Sequence, residues 1–114
     1  MRFLASLMLL VVVCVGCQTK PTPPAYAEMR AELRTVTLTD GISESEAQII
    51  GRCYFVKNVG CGGFIGVRDD GSRWIVDGTF GFAGQPVHFY IDKHSGKIVS
   101  SFGPSYGSPF DIFP

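Results

Sequence analysis

The chain has 114 residues, and ten lysine and arginine residues balance ten aspartate and glutamate residues, for a formal net charge of zero. That balance leaves no basic stripe to neutralise phosphates, so nucleic acid is excluded as an expected partner. The length suffices for one small domain with a modest core.

The first element is a leader. Arg2 gives a positive start, and Phe3 to Val13 form an apolar run that ends at Val15-Gly16-Cys17. A membrane-spanning helix takes roughly 20 apolar residues, so this shorter run reads as the core of a signal peptide. Small residues directly before a cysteine resemble the lipobox of bacterial lipoproteins. The resemblance implies cleavage before Cys17, a diacylglycerol on its thiol and a third acyl chain on its freed amine. Cys14 departs from the usual Leu or Val three positions before that cysteine. Gln18 follows it, where an Asp resembles the inner-membrane retention signal, so the resemblance implies the default route to the periplasmic face of the outer membrane. Residues 1–16 are therefore expected as a lipoprotein signal peptide. Residues 17–27 are expected as the lipidated cysteine with a proline-rich tether (QTKPTPP), which favours extended conformations.

Residues 28–103 are expected to form an α+β domain, one main helix packed on a curved antiparallel sheet of about four strands. Ala25 to Arg34 is helix-friendly, with Tyr26, Met29 and Leu33 on one face. Thr35 to Thr39 alternates polar and apolar residues, which predicts a strand. Ser43 and Glu46 make a capping box, flanked by Ile42 and Ala47 as a staple, so a helix should run from Glu44 to about Lys57. Its buried face should carry Ala47, Ile50 and Tyr54, with Ile49, Cys53 and Val56. Gly51 inside it costs about 1 kcal/mol relative to alanine, a cost that close packing against a sheet would explain. Gly60 suits the C-terminal cap.

Period-two patterns follow. Phe64 to Val67 predicts a strand closed by the turn Asp69-Asp70-Gly71. Trp74, Val76 and Phe80 share one face of the next strand, with Asp77 and Thr79 opposite. Gly78, Gly81 and Gly84 suggest bulges or bends. Val87, Phe89 and Ile91 alternate with His88, Tyr90 and Asp92, Lys93 to Gly96 makes a turn, and Ile98, Ser100 and Phe102 share a face of the last strand. Residues 104–114 are expected as an irregular proline- and aromatic-rich tail.

Two of the four cysteines remain in the domain, and their even number in an exported chain predicts a Cys53–Cys61 disulfide, with free buried thiols as the alternative. The spacing lacks the C-x-x-C pattern of a redox pair. No catalytic residue, cofactor or metal site is expected. His88, Tyr90 and Asp92 with Asp77 read as a polar outer sheet face, the sharper alternative being a weak metal or proton site. Asp69-Asp70-Gly71 lacks calcium-loop spacing. Trp74, Phe80 and Phe82 read as core in preference to a sugar-stacking platform. In the tail, Tyr106, Phe110, Ile112 and Phe113 either complete the core or dock on a partner as proline-ordered anchors.

Ile42-Ser43-Glu44 leading into a helix, Trp74-x-Val76-x-Gly78-Thr79, and Ile91-Asp92-Lys93-x-x-Gly96-Lys97-Ile98 resemble two groups. One is the PepSY-like domains of exported bacterial proteins, associated with inhibiting or binding proteases. The other is the immunity proteins with a nuclear-transport-factor-like cone. The resemblance implies a non-catalytic protein-binding module, inhibitor- or immunity-like, anchored to the membrane through lipid on Cys17. Its expected partner-binding residues are Asp77, His88, Tyr90 and Asp92 with Tyr106, Phe110 and Phe113, and a structural or assembly accessory of the envelope is the alternative role.

Overall fold

The computed structural model describes residues 24–114. The expected signal peptide, Cys17 and most of the tether lie outside the described residues. Helix α1 spans Pro24–Leu33 and helix α2 spans Glu44–Asn58. Strands β1 (Gly62–Asp70), β2 (Arg73–Phe80), β3 (Gln85–Asp92) and β4 (Ile98–Ser100) form one antiparallel sheet in the order β1-β2-β3-β4, the expected α+β arrangement. A 3₁₀ turn, Pro109–Ile112, closes the tail. Among the described residues, no helix is long and apolar enough to cross a membrane.

Helix α2 starts where its capping box demands. Ser43 Oγ accepts from the Glu46 N–H at 3.2 Å, and Glu46 Oε1 accepts from the Ser43 N–H at 2.9 Å. Glu44 and Glu46 in the first turn and Lys57 in the last complement the helix dipole. The helix ends at Val59, whose extended backbone still donates to the Phe55 carbonyl, so Gly60 is not the left-handed cap expected of it. The buried face is Ala47, Ile50, Gly51, Cys53, Tyr54 and Phe55. Phe55 was not expected there, and Val56 points outward. Two glycines let helix and sheet approach. A Cβ on Gly51 would lie 2.7 Å from the Phe64 ring, and one on Gly78 would lie 2.2 Å from the Phe55 ring. Gly78 is therefore a seat for Phe55 in β2, and the bulge falls opposite it on the partner strand, in β1 between Phe64 and Gly66.

The core joins that helix face to Trp74, Val76, Phe89, Ile91 and Ile98 of the sheet. Tyr54 and Phe89 rings lie 4.2 Å apart, and the Trp74 indole donates to the Ile42 carbonyl at 2.9 Å. Helix α1 packs on α2 through Leu33, with Tyr26 and Met29 half-buried. It begins at Pro24, so the last residues assigned to the tether belong to the helix.

Two expectations are corrected. Thr35 to Thr39 is not a strand. Its Thr37 N–H goes to Glu46 Oε2 at 2.9 Å and its Val36 N–H turns back to the Leu33 carbonyl, while Val36 is buried beneath the loop. The alternation serves packing without a pairing partner. Cys53 and Cys61 form no disulfide. Cys53 is buried on the α2 face toward α1, 3.5 Å from the Met29 carbonyl, and burial pushes its thiol up to about 11. Cys61 is exposed beyond the helix end.

The tail takes the first of its two expected courses and completes the core. It is part of the domain, since Tyr106 exchanges backbone hydrogen bonds with Ile98 at 2.8 and 3.0 Å, and Ile112 and Phe113 are buried. The Phe113 ring meets Tyr26 at 5.4 Å and lies under the Lys57 ammonium at 5.2 Å. Of the three tail anchors expected to bind a partner, Phe113 is core, Tyr106 is half-buried with its hydroxyl 3.2 Å from Asn58 Oδ1, and Phe110 alone is exposed.

Candidate functional site

Both helices lie on one side of the sheet, and the opposite face is left to solvent. Strand alternation puts Arg68 of β1, Arg73, Ile75 and Asp77 of β2, His88 and Tyr90 of β3, and Val99 of β4 on that face. Register then sets their neighbours. Asp77 lies between Gly66 and His88, and Ile75 lies between Arg68 and Tyr90.

Ion pairs and rings fix these side chains. The Arg68 guanidinium forks onto Asp77, Nε to Oδ2 at 2.6 Å and Nη2 to Oδ1 at 2.9 Å. The Arg68 hydrogen bond is the main reason the Asp77 carboxyl sits below the usual carboxylate range. Arg68 is well exposed, so water screens the pair and its contribution to stability is small. Two residues along β3, His88 Nε2 lies 3.1 Å from the Tyr90 hydroxyl with the rings edge to face. The Arg73 guanidinium stacks 3.8 Å above the Tyr90 ring while its Nε donates to Asp70 at 2.8 Å. Arg68, Asp77, His88, Tyr90 and Arg73 thus form a continuous polar and aromatic array across three strands.

Asp92, expected in this array, borders the same face beside Arg73 and Tyr90 while its carboxylate is engaged by its own turn. Its Oδ1 accepts from the His94 and Ser95 N–H groups at 2.9 and 2.8 Å, and from the Ser95 hydroxyl at 3.1 Å. Those bonds, that from the Ser95 backbone first, hold its carboxyl below the usual range. It shapes the β3–β4 turn. The face carries a shallow hollow of about 210 Å³ between Arg73, Tyr90, Asp92, Lys97 and Val99. That is smaller than the roughly 300–1,000 Å³ that encloses a small molecule, so the surface suits a flat partner. Among the described residues, no group of three or more His, Cys, Asp or Glu side chains is placed to hold a metal ion.

Arg68 and Arg73 are the residues the sequence reading missed here. Arg68's place opposite Ile75 follows from the Asp69-Asp70-Gly71 turn, since the register is unbroken from Asp70–Arg73 to Gly66–Asp77, and Arg73 could have been placed by counting back from Asp77. A second miss is larger. Phe82, expected in the core, is 99% exposed, and Phe80 is 46% exposed.

No family model, curated protein or solved structure matches this chain.

Proposed function

We propose that the protein is a non-catalytic protein-binding module, inhibitor- or immunity-like, anchored by lipid on Cys17 at the periplasmic face of the outer membrane. The observation that carries this reading is the uncovered sheet face with its Arg68–Asp77, His88–Tyr90 and Arg73–Tyr90 contacts. Arginine and tyrosine held in place by neighbours lose little side-chain entropy on docking, and interface hot spots are enriched in both types. The lipobox-like Val15-Gly16-Cys17 and the PepSY-like and immunity-like motifs support the same reading, now with Asp77, His88, Tyr90 and Asp92 joined by Arg68 and Arg73.

Crosslinking in intact cells followed by affinity purification tests it. The expected result is one dominant partner, lost in His88→Ala and Arg73→Ser variants whose melting stays close to that of the parent. Capture of only abundant envelope proteins, unaffected by those substitutions, would overturn it in favour of a structural accessory. A Cys17→Ser chain should leave the membrane fraction.

A further inference from the structure

The turn between β2 and β3 carries the most exposed apolar side chain of the described residues. It is Gly81-Phe82-Ala83-Gly84, closed by the Gly84 N–H donating to the Gly81 carbonyl at 3.1 Å and tied to the body by the Gly81 N–H donating to the Cys61 carbonyl at 2.7 Å. Gly81 and Gly84 have φ of 80° and 67°, values that only glycine takes easily. The turn is therefore held rigidly, and the fold makes no use of the Phe82 ring, which is 99% exposed. Phe80 at its base is half-exposed.

This turn stands at an end of the domain with little charge. Residues 59–67 and 78–87, which build that end from the close of α2 into β1 and from β2 into β3, contain no Asp, Glu, Lys or Arg. Helix α1 starts at the same end. It runs antiparallel to α2, with Glu32 paired to Arg52, the Met29 carbonyl beside Cys53, and Tyr26 meeting Phe113 beneath Lys57. Its first residue, Pro24, therefore emerges beside the close of α2, which leads through Cys61 to the Phe82 turn. Seven chain steps separate Pro24 from Cys17, a span of at most about 25 Å.

We infer that the Phe82 turn is a second membrane contact, inserting into the interface of the same bilayer that the acyl chains on Cys17 enter. The inference rests on the anchored reading proposed above. A short tether starting at this end brings this sparsely charged end, with Lys57 at the close of α2, toward the lipid, and an aromatic ring at the bilayer interface exchanges exposed apolar area for acyl and headgroup contact. Burying a Phe ring favours the tip-down orientation about tenfold or more. Acyl chains alone would let the domain swivel. The turn fixes its pose, and the charged Asp69–Lys93 end then projects away from the bilayer.

The test uses the full chain, processed in cells and reconstituted in vesicles of phosphatidylethanolamine and phosphatidylglycerol with brominated acyl chains. Intact mass first reads acylation of Cys17. The indole introduced by Phe82→Trp, and separately by Ala83→Trp, should then emit at shorter wavelength than in detergent-free water and be quenched by the brominated lipid. Buried Trp74, present in every variant, supplies the unquenched background. Acylated protein with unquenched indoles at both positions would overturn the inference while leaving the anchor intact. An unacylated mass would overturn the anchored reading itself. A photo-crosslinker at position 82 that captures a protein in cells, with no lipid quenching, would replace the bilayer by a protein partner and likewise overturn it.

Discussion

The two ends of this domain hold themselves together by different physics. At the Asp69–Lys93 end, turns are stabilised by charge. Lys93 donates to Asp69 at 2.6 Å, its ammonium lies 4.3 Å over Trp74, Arg73 pairs with Asp70, and the Asp92 carboxylate ties down its own turn. At the Phe82 end, the work is done by shape. Phe55 is seated over Gly78 and packs between Phe89 and Phe102, and two glycines set the hairpin turn. Stability is concentrated where charge is scarce, because exposed ion pairs are screened by water whereas buried rings are not.

Substitutions should expose the asymmetry in graded fashion. Phe55→Ala empties the apolar end and should cost about 3–5 kcal/mol, read as a large fall in denaturation midpoint. Gly78→Ala puts a methyl into the Phe55 ring and the Gly63 carbonyl, and overpacking of this kind costs about 1–3 kcal/mol. Gly63→Ala, into open space, is its near-neutral control. Ser43→Ala removes the α2 cap and should cost about 1 kcal/mol. Asp77→Asn should cost less than about 1 kcal/mol, and raised salt should erase most of the difference from the parent. A charge pair that proved as costly as Phe55→Ala would break the comparison.

Acid sharpens it further. The carboxyls of Asp69, Asp77 and Asp92 are held below their ordinary values, chiefly by hydrogen bonds from Lys93, Arg68 and the Ser95 backbone. For Glu46, burial raises the carboxyl, but hydrogen bonds from Ser43 and Thr37 outweigh it and the net shift is downward. A depressed folded-state value means that the unfolded chain binds protons first. The stability these groups contribute is thus present above about pH 4 and lost as pH falls through their lowered values. Thermal melts from pH 7 to pH 2 should decline only in that lower range. The decline should be shallower in Asp77→Asn.

The helices and turns were legible because their signals are local. The capping box, the Asp-Gly turn and the strict alternation of Val87 to Asp92 each needed only near neighbours in sequence, and each took its expected place. What failed depended on partners distant in sequence. Thr35 to Thr39 alternates like a strand but finds no strand beside it, only the Glu46 carboxylate. The cysteine pair satisfied an even count, yet α2 turns Cys53 toward α1 and continues past it before Cys61 is reached. Phe80 and Phe82 keep the parity of Trp74 and Val76, but Gly78 ends the helix-covered stretch between them, so the two rings run past the core. In the candidate site, Asp77, His88 and Tyr90 were found by parity alone. Arg68 and Arg73 lay within reach of the same parity and of the Asp-Gly turn, but the pairing of Arg68 with Asp77 and the stacking of Arg73 on Tyr90 are tertiary facts.

The tail's docking also sets an order of events in folding. Each strand pairs with the one before it in sequence, so the sheet forms by closing short loops, which is entropically cheap and fast. The bonds from Tyr54 to Pro104 and from Lys57 to Ile112 instead join residues 50 and 55 positions apart. Those long loops close against a sheet already formed, with the Pro109–Ile112 turn acting as a late latch across α2. Until it engages, Tyr54 and the helix pair are left uncovered. The meander is therefore expected to be complete while the part of α2 that the tail covers is still open.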